Sequence, residues 1–181
     1  MRKLLTVLSS LSLILIVTAC CGGGESTTSG GDSAGDSAGA EKGADGFVDV
    51  PNSKGLKAKV PDNATPNGIG GAAGFHTDDK SFGFMLDKVE GEKTMEQAKA
   101  SAEEIFFKEW IGEGEKTEDG WVLTWKVAQM DFAGEEPKET GVLYSFEVVK
   151  KVDGTTYNCH GAVKDEAGMK AAVESCKSVK K

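Results

Sequence analysis

Residues that carry chemistry are scarce in this 181-residue chain: it has two histidines, His76 and His160, and four cysteines, Cys20, Cys21, Cys159 and Cys176. H-E-x-x-H and C-x-x-C do not occur, so the short signatures of a zinc protease and of a thioredoxin-like redox centre are missing. Two histidines without a fixed spacing make no metal set, and no cofactor or metal is expected. Apolar runs are also short. The longest, Leu4 to Val17, falls below the roughly 18 residues a membrane-spanning helix needs. Basic residues are the minority, 21 Lys and Arg against 29 Asp and Glu, for a formal net charge of −8. Such a balance repels phosphate backbones and argues against nucleic-acid binding. It leaves a basic protein partner or a cation electrostatically open.

What the chain does have begins at its N-terminus. Met1-Arg2-Lys3 supplies positive charge, Leu4 to Val17 is the apolar segment, and Val17-Thr18-Ala19 ends in small residues. This layout over residues 1–19 is that of a secretory signal peptide. Val17-Thr18-Ala19-Cys20 resembles the lipobox of bacterial lipoproteins. The resemblance implies that Cys20 receives a diacylglyceryl group and becomes the new N-terminus, anchoring the protein to a membrane of the bacterial cell envelope without spanning it. Two acyl chains suffice for stable anchoring at about 0.8 kcal/mol per buried CH₂. Two alternatives stay open. The lipobox shifts by one residue to place Cys21 at the acceptor position, or plain cleavage after Ala19 releases a soluble secreted protein.

Residues 20–46 follow as a tether. Cys21 to Gly46 consists almost wholly of Gly, Ser, Ala, Thr and acidic residues, with GDSA repeated in succession. It cannot bury enough apolar surface to offset its ordering entropy. A flexible chain of this length reaches about 28 Å root-mean-square. Cys21 at its base is either an idle thiol or a site for an intermolecular disulfide.

From Phe47 to Lys181 hydrophobic periodicity takes over, and the sequence predicts one globular α+β domain. Leu56, Ala58 and Val60 alternate with lysines, while Phe75 and then Phe82, Phe84 and Leu86 bracket the turn-like TDDKS, all as strands. Thr94 to Ile111 reads as a helix, opened by a Thr94/Gln97 capping box and striped by Met95, Ala98, Ala102, Ile105, Phe106 and Trp110. Three alternating strands follow, around Trp121–Val127, Val142–Val148 and Tyr157–Val163, with Asp153-Gly154 as a hairpin turn. A last helix starts at the N-cap Asp165 and buries Met169, Ala172, Val173, Cys176 and Val179. The expected architecture is an antiparallel sheet with both helices packed on one face.

That element order, with the closing "YNCHGAV…AAVESCKSVK", is similar to the PsbP-like fold and to small bacterial lipoproteins that end in a Cys-bearing strand and a Cys-bearing helix. The resemblance implies a fold and transfers no activity, because such folds host unrelated roles. Cys159 and Cys176 both fall on core-facing positions, and outside the cytoplasm they are expected to pair as a disulfide worth ~3 kcal/mol. By alternation His76, Asn158, His160, Glu147 and Thr124 fall on the polar side of their strands, which makes a shallow ligand face on the uncovered side of the sheet. Cys159 and His160 are adjacent on a strand and point to opposite faces, so they form no nucleophile–base pair. Gly68-Ile69-Gly70-Gly71-Ala72-Ala73 carries the letters of a dinucleotide loop, but prolines precede it and Phe75-His76 follows, so it reads as a loop running into a strand. The expectation is a lipid-anchored, non-enzymatic binding or accessory domain that serves another envelope protein. The alternative is a carrier of a small ligand or metal using the face around His76 and His160.

Overall fold

The structure, a computed structural model, describes residues 42–67, 72–134 and 136–181. The expected signal peptide, Cys20, Cys21, the GDSA repeat and Gly68–Gly71 lie outside the described residues. In chain order the elements are β1 (Val48–Asp49), β2 (Lys57–Ala58), β3 (Thr65–Pro66), β4 (Ala73–His76), β5 (Gly83–Lys88), α1 (Met95–Glu103), β6 (Phe107–Trp110), β7 (Glu115–Thr117), β8 (Gly120–Asp131), β9 (Lys138–Val152), β10 (Thr155–Val163) and α2 (Glu166–Ser178). The domain is α+β. Eight strands form one antiparallel sheet in the order β3-β4-β5-β10-β9-β8-β6, with β7 also paired to β8, and β1 and β2 form a separate ribbon.

Local signals set most of these elements. Thr94 accepts a hydrogen bond from the Gln97 backbone while Gln97 caps the Thr94 N–H in return, so α1 opens on the expected capping box. Asp165 caps α2 through the Gly168 N–H at 2.8 Å. Asp153 and Gly154 take φ of +48° and +79°, the paired left-handed conformation that a two-residue hairpin turn requires and that Asp-Gly tolerates. Gly168 is required for a different reason: a Cβ there would stand 1.7 Å from the Ser81 carbonyl oxygen, because the first turn of α2 presses on the β4–β5 turn.

The sheet is covered on both faces. One carries the main core, in which Phe75, Phe84, Leu86, Val122, Phe146, Val148 and Cys159 meet Met169, Ala172, Val173 and Cys176 of α2, with the β1–β2 ribbon closing the side. The other carries a smaller cluster in which Met95 and Ala98 of α1 meet Trp121, Leu123 and Val149. The helices therefore pack on opposite faces, which corrects the expectation of two helices on one. The cause lies in β8 and β9. Trp121-Val122-Leu123 and Val148-Val149 are apolar without interruption, so each strand offers a burial surface on both sides.

The first helix is also shorter than its periodicity suggests. It ends at Glu103, Phe106 turns into the left-handed region at φ +48°, and Phe107–Trp110 run on as the edge strand β6 against Val127 and Trp125 of β8. Phe107 and Trp110, three apart, fit a helical stripe, and β6 accommodates the same spacing through a register shift between Phe107 and Glu109. The open edge of β8 decides between them, since its backbone donors and acceptors need partners.

Cys159 on β10 and Cys176 on α2 are joined by a disulfide, with Cα atoms 5.8 Å apart. This bond ties the central strand of the sheet to its covering helix, and it fits an oxidising compartment.

Candidate functional site

The register decides which polar residues share a face. Leu123 stands opposite Glu147, Glu147 opposite His160, and His160 opposite Met85. Glu147, His160 and Asn158 therefore lie on the α1 side of the sheet, together with Trp125 and Ser145. Thr124 does not join them. It faces Phe146 across the ladder on the α2 side, where its hydroxyl donates to the Ile111 carbonyl at 2.7 Å. His76 is on the α1 side but on β4, opposite Gly83 and two strands from His160, so the two histidines do not converge. Alternation within each strand was readable, whereas the pairing that sorts strands onto common faces was not.

α1 packs on Trp121, Leu123 and Val149, with Trp110 and Trp125 beside them, and between it and the rest of its face of the sheet lies a groove of about 570 Å³. Ala98, Ala102, Ile105 and Phe106 form its upper wall, and Trp125, Val127, Glu147, Asn158 and His160 are part of its floor. The walls are mostly apolar but include the Ser101 and Ser145 hydroxyls, and Lys93, Glu147, Asn158 and His160 gather as a polar end. This is the usual make-up of a small-molecule site, as is a volume between about 300 and 1,000 Å³.

Three observations describe that polar end. Glu147 is only 7% exposed and forms an ion pair with Lys93, which reaches over from the loop before α1. The Lys93 carbonyl in turn accepts a hydrogen bond from Trp121 Nε1 at 3.1 Å, which fixes that loop above the sheet. His160 Nε2 lies 2.9 Å from Asp87 Oδ2 on the neighbouring strand. Asn158 Oδ1 is buried without a hydrogen-bond partner, a deficit that native structures rarely leave in place. His76 Nδ1 shares that deficit away from the groove.

Ser145, His160 and Asp87 occupy the same face, yet no hydrogen bond joins Ser145 to His160, so the nucleophile–base contact of a catalytic triad is not made. The letters G-x-S-x-G do occur, twice, at Gly31–Gly35 and Gly35–Gly39. That motif acts only on a strand-to-helix turn, and both copies lie outside the described residues. No group of three or more His, Cys, Asp or Glu arranged to hold a metal ion occurs among the described residues. A second concavity of equal volume flanks α2, lined by Ile111, Val122, Met169 and the Lys177–Glu115 pair. It has no unsatisfied polar group comparable to Asn158. The groove under α1 is thus the better candidate.

Sequence reasoning missed Lys93, Trp125 and the α1 wall, because none carries a motif. Met85, Ile105 and Phe106 give no sequence signal for the same reason, although all three are large apolar side chains left 40%, 65% and 48% exposed at the groove. No protein-family model matches the chain, and no curated protein matches it either.

Proposed function

We propose that this chain is a lipid-anchored protein of the bacterial cell envelope whose domain binds a small, largely apolar ligand in the groove between α1 and the sheet. The observation that carries this reading is the groove itself: apolar walls meet one polar end at which Glu147, His160 and Asn158 converge. The anchor rests on the Val17-Thr18-Ala19-Cys20 lipobox, and the disulfide supports an extracytoplasmic address. A binding role is favoured over catalysis because Glu147 is engaged with Lys93 and His160 with Asp87, and no hydrogen bond joins the Ser145 hydroxyl to His160. Nile red, a neutral apolar dye, tests the site. Its fluorescence should rise with the wild-type chain and not with Ala102→Trp, whose indole fills the groove, while the two proteins share one urea midpoint. Fluorescence unchanged by the wild type contradicts the reading. Mass spectrometry of the N-terminal peptide from membranes tests the anchor, with acylated Cys20 expected.

A second reading has an observation of its own. The Phe106 and Phe132 rings meet at a tilt with centroids 5.9 Å apart, and they are 48% and 62% exposed, with Ile105 next in the chain to Phe106 and 65% exposed. Exposed apolar clusters of this kind mark docking surfaces for proteins. If an envelope protein docks there, Phe132→Ser lowers its capture from membranes and leaves dye binding intact.

A further inference from the structure

We infer that the groove selects an uncharged ligand, a hydrocarbon body bearing one hydroxyl or carbonyl group, and that the Ser145 hydroxyl is the protein group that meets it; the inference rests on the ligand-binding reading above. Two observations bound the ligand from opposite sides. One disfavours ions, and the other disfavours bare hydrocarbon.

The first is the state of the charges. Among the described residues that line the groove only Lys93 and Glu147 carry a permanent charge, and they are paired with each other. His160, the remaining titratable side chain of the lining, meets Asp87 through Nε2 at 2.9 Å. A ligand carboxylate or ammonium therefore finds no free counter-charge. To gain one it must part Lys93 from Glu147, which strands a carboxylate that is only 7% exposed or leaves the lysine without its acid. Stripping water from an ion that gains no partner costs far more than stripping it from a hydroxyl or a carbonyl.

The second is Ser145. On β9 it stands opposite Trp125 and Ala162, both groove residues, and it faces the α1 side, while its neighbour Phe146 belongs to the core under α2. Ser145 is 6% exposed, and among the described residues its hydroxyl has no hydrogen-bond partner. The Asn158 Oδ1 atom is equally unpartnered but enclosed, whereas the Ser145 oxygen is not enclosed, and the space it opens onto is the groove. A ligand made of carbon alone would shield this hydroxyl from water and leave it unpaired. A ligand hydroxyl or carbonyl oxygen pairs with it, and serine suits either because its hydroxyl both donates and accepts. Around that one polar contact Ala98, Ala102, Trp125 and Val127 offer carbon surface, which matches a hydrocarbon body.

Isothermal titration of the purified chain with ethylbenzene, phenethyl alcohol, phenethylamine and phenylacetate tests the assignment on one carbon skeleton. At about pH 8 the amine and the acid are both ionised. Phenethyl alcohol should bind the wild type about tenfold more tightly than either ion. Ser145→Ala should weaken the alcohol about fivefold, the worth of one neutral hydrogen bond, and leave ethylbenzene as tight as before or tighter. Its urea midpoint should not fall, because the hydroxyl has no protein partner to lose. Glu147→Gln frees Lys93 and should tighten phenylacetate about tenfold while leaving the alcohol unchanged. An ion that binds the wild type as tightly as the alcohol, an alcohol affinity indifferent to Ser145→Ala, a lowered midpoint for that variant, or phenylacetate indifferent to Glu147→Gln overturns the assignment. If Nile red still binds in that case, the groove remains the ligand site and only its chemistry is overturned. If neither the dye nor any of the four compounds binds, the parent reading is overturned with it.

Discussion

Lys93 and Glu147 are separated by 54 positions in sequence and form an ion pair at the floor of the groove, with Glu147 buried on β9 and Lys93 in the loop that leads into α1. A buried carboxylate tolerates such a place only with a partner. The pair therefore holds the α1 loop down on the sheet and keeps the groove's width.

Removing one partner is expected to cost more than removing both. Lys93→Met strands Glu147 and should lower stability by about 1–3 kcal/mol. The double variant Lys93→Met/Glu147→Leu should recover most of that loss, because two packed apolar groups need no compensation. Urea unfolding of the two variants measures the difference. Equal losses would show that the pair is too well solvated to matter.

The Cys159–Cys176 disulfide closes a short loop between β10 and α2, its ends 17 positions apart in sequence. The double variant Cys159→Ala/Cys176→Ala should lose ~3 kcal/mol in the chain-entropy account. Alkylation of the unreduced, unfolded protein should leave both residues unlabelled. Labelling at both would show the bond unformed in the purified protein.

Gly168→Ala should destabilise by about 1–3 kcal/mol, the range of overpacking, since the new methyl would stand 1.7 Å from the Ser81 carbonyl oxygen and α2 must back away from the β4–β5 turn. Helix propensity alone predicts the opposite sign at this position. The melting temperature of the variant decides between the two.

Asp79 should contribute to acid sensitivity. It accepts hydrogen bonds from the Ser81 hydroxyl at 2.7 Å, Lys164 at 2.9 Å, the Ser81 backbone N–H at 3.0 Å and the Thr77 hydroxyl at 2.7 Å. These bonds, the Ser81 hydroxyl first, hold its carboxyl well below the usual carboxylate range. A folded-state pKa below the unfolded one gives stability that is fully present above the ordinary Asp value and is lost as pH falls through the folded one. Asp79→Asn should therefore be less stable than the wild type at neutral pH, and the gap should narrow below about pH 4. A gap that stays constant down to acid pH would remove Asp79 from the account.

Features encoded in a few neighbouring residues were legible in the sequence. The Asp153-Gly154 turn, the Thr94/Gln97 and Asp165 caps, the buried stripe of α2 and the alternation of β9 and β10 all depend on local chemistry, and each is found where that chemistry puts it. The Cys159–Cys176 bond followed from two core-facing positions and is present. What was not legible depends on partners far along the chain. Phe107–Trp110 left the expected helix because β8 offered an unpaired edge. Thr124 parted from Glu147 because the β8–β9 register sets Leu123, not Thr124, across from that acid. The groove is a product of both events: α1 stops early, and the face it leaves open is the one that holds Glu147, Asn158 and His160.

The central claim is that this groove holds the ligand, and a nitrogen-15 chemical-shift titration of the labelled chain with octan-1-ol tests it most directly. The account predicts shifts confined to Ala98, Ala102, the Trp125 indole, Asn158 and His160, saturating together on one binding curve. Shifts gathered instead around Ile111, Met169 and Val173 beside α2, or no saturable shifts at all, would contradict it.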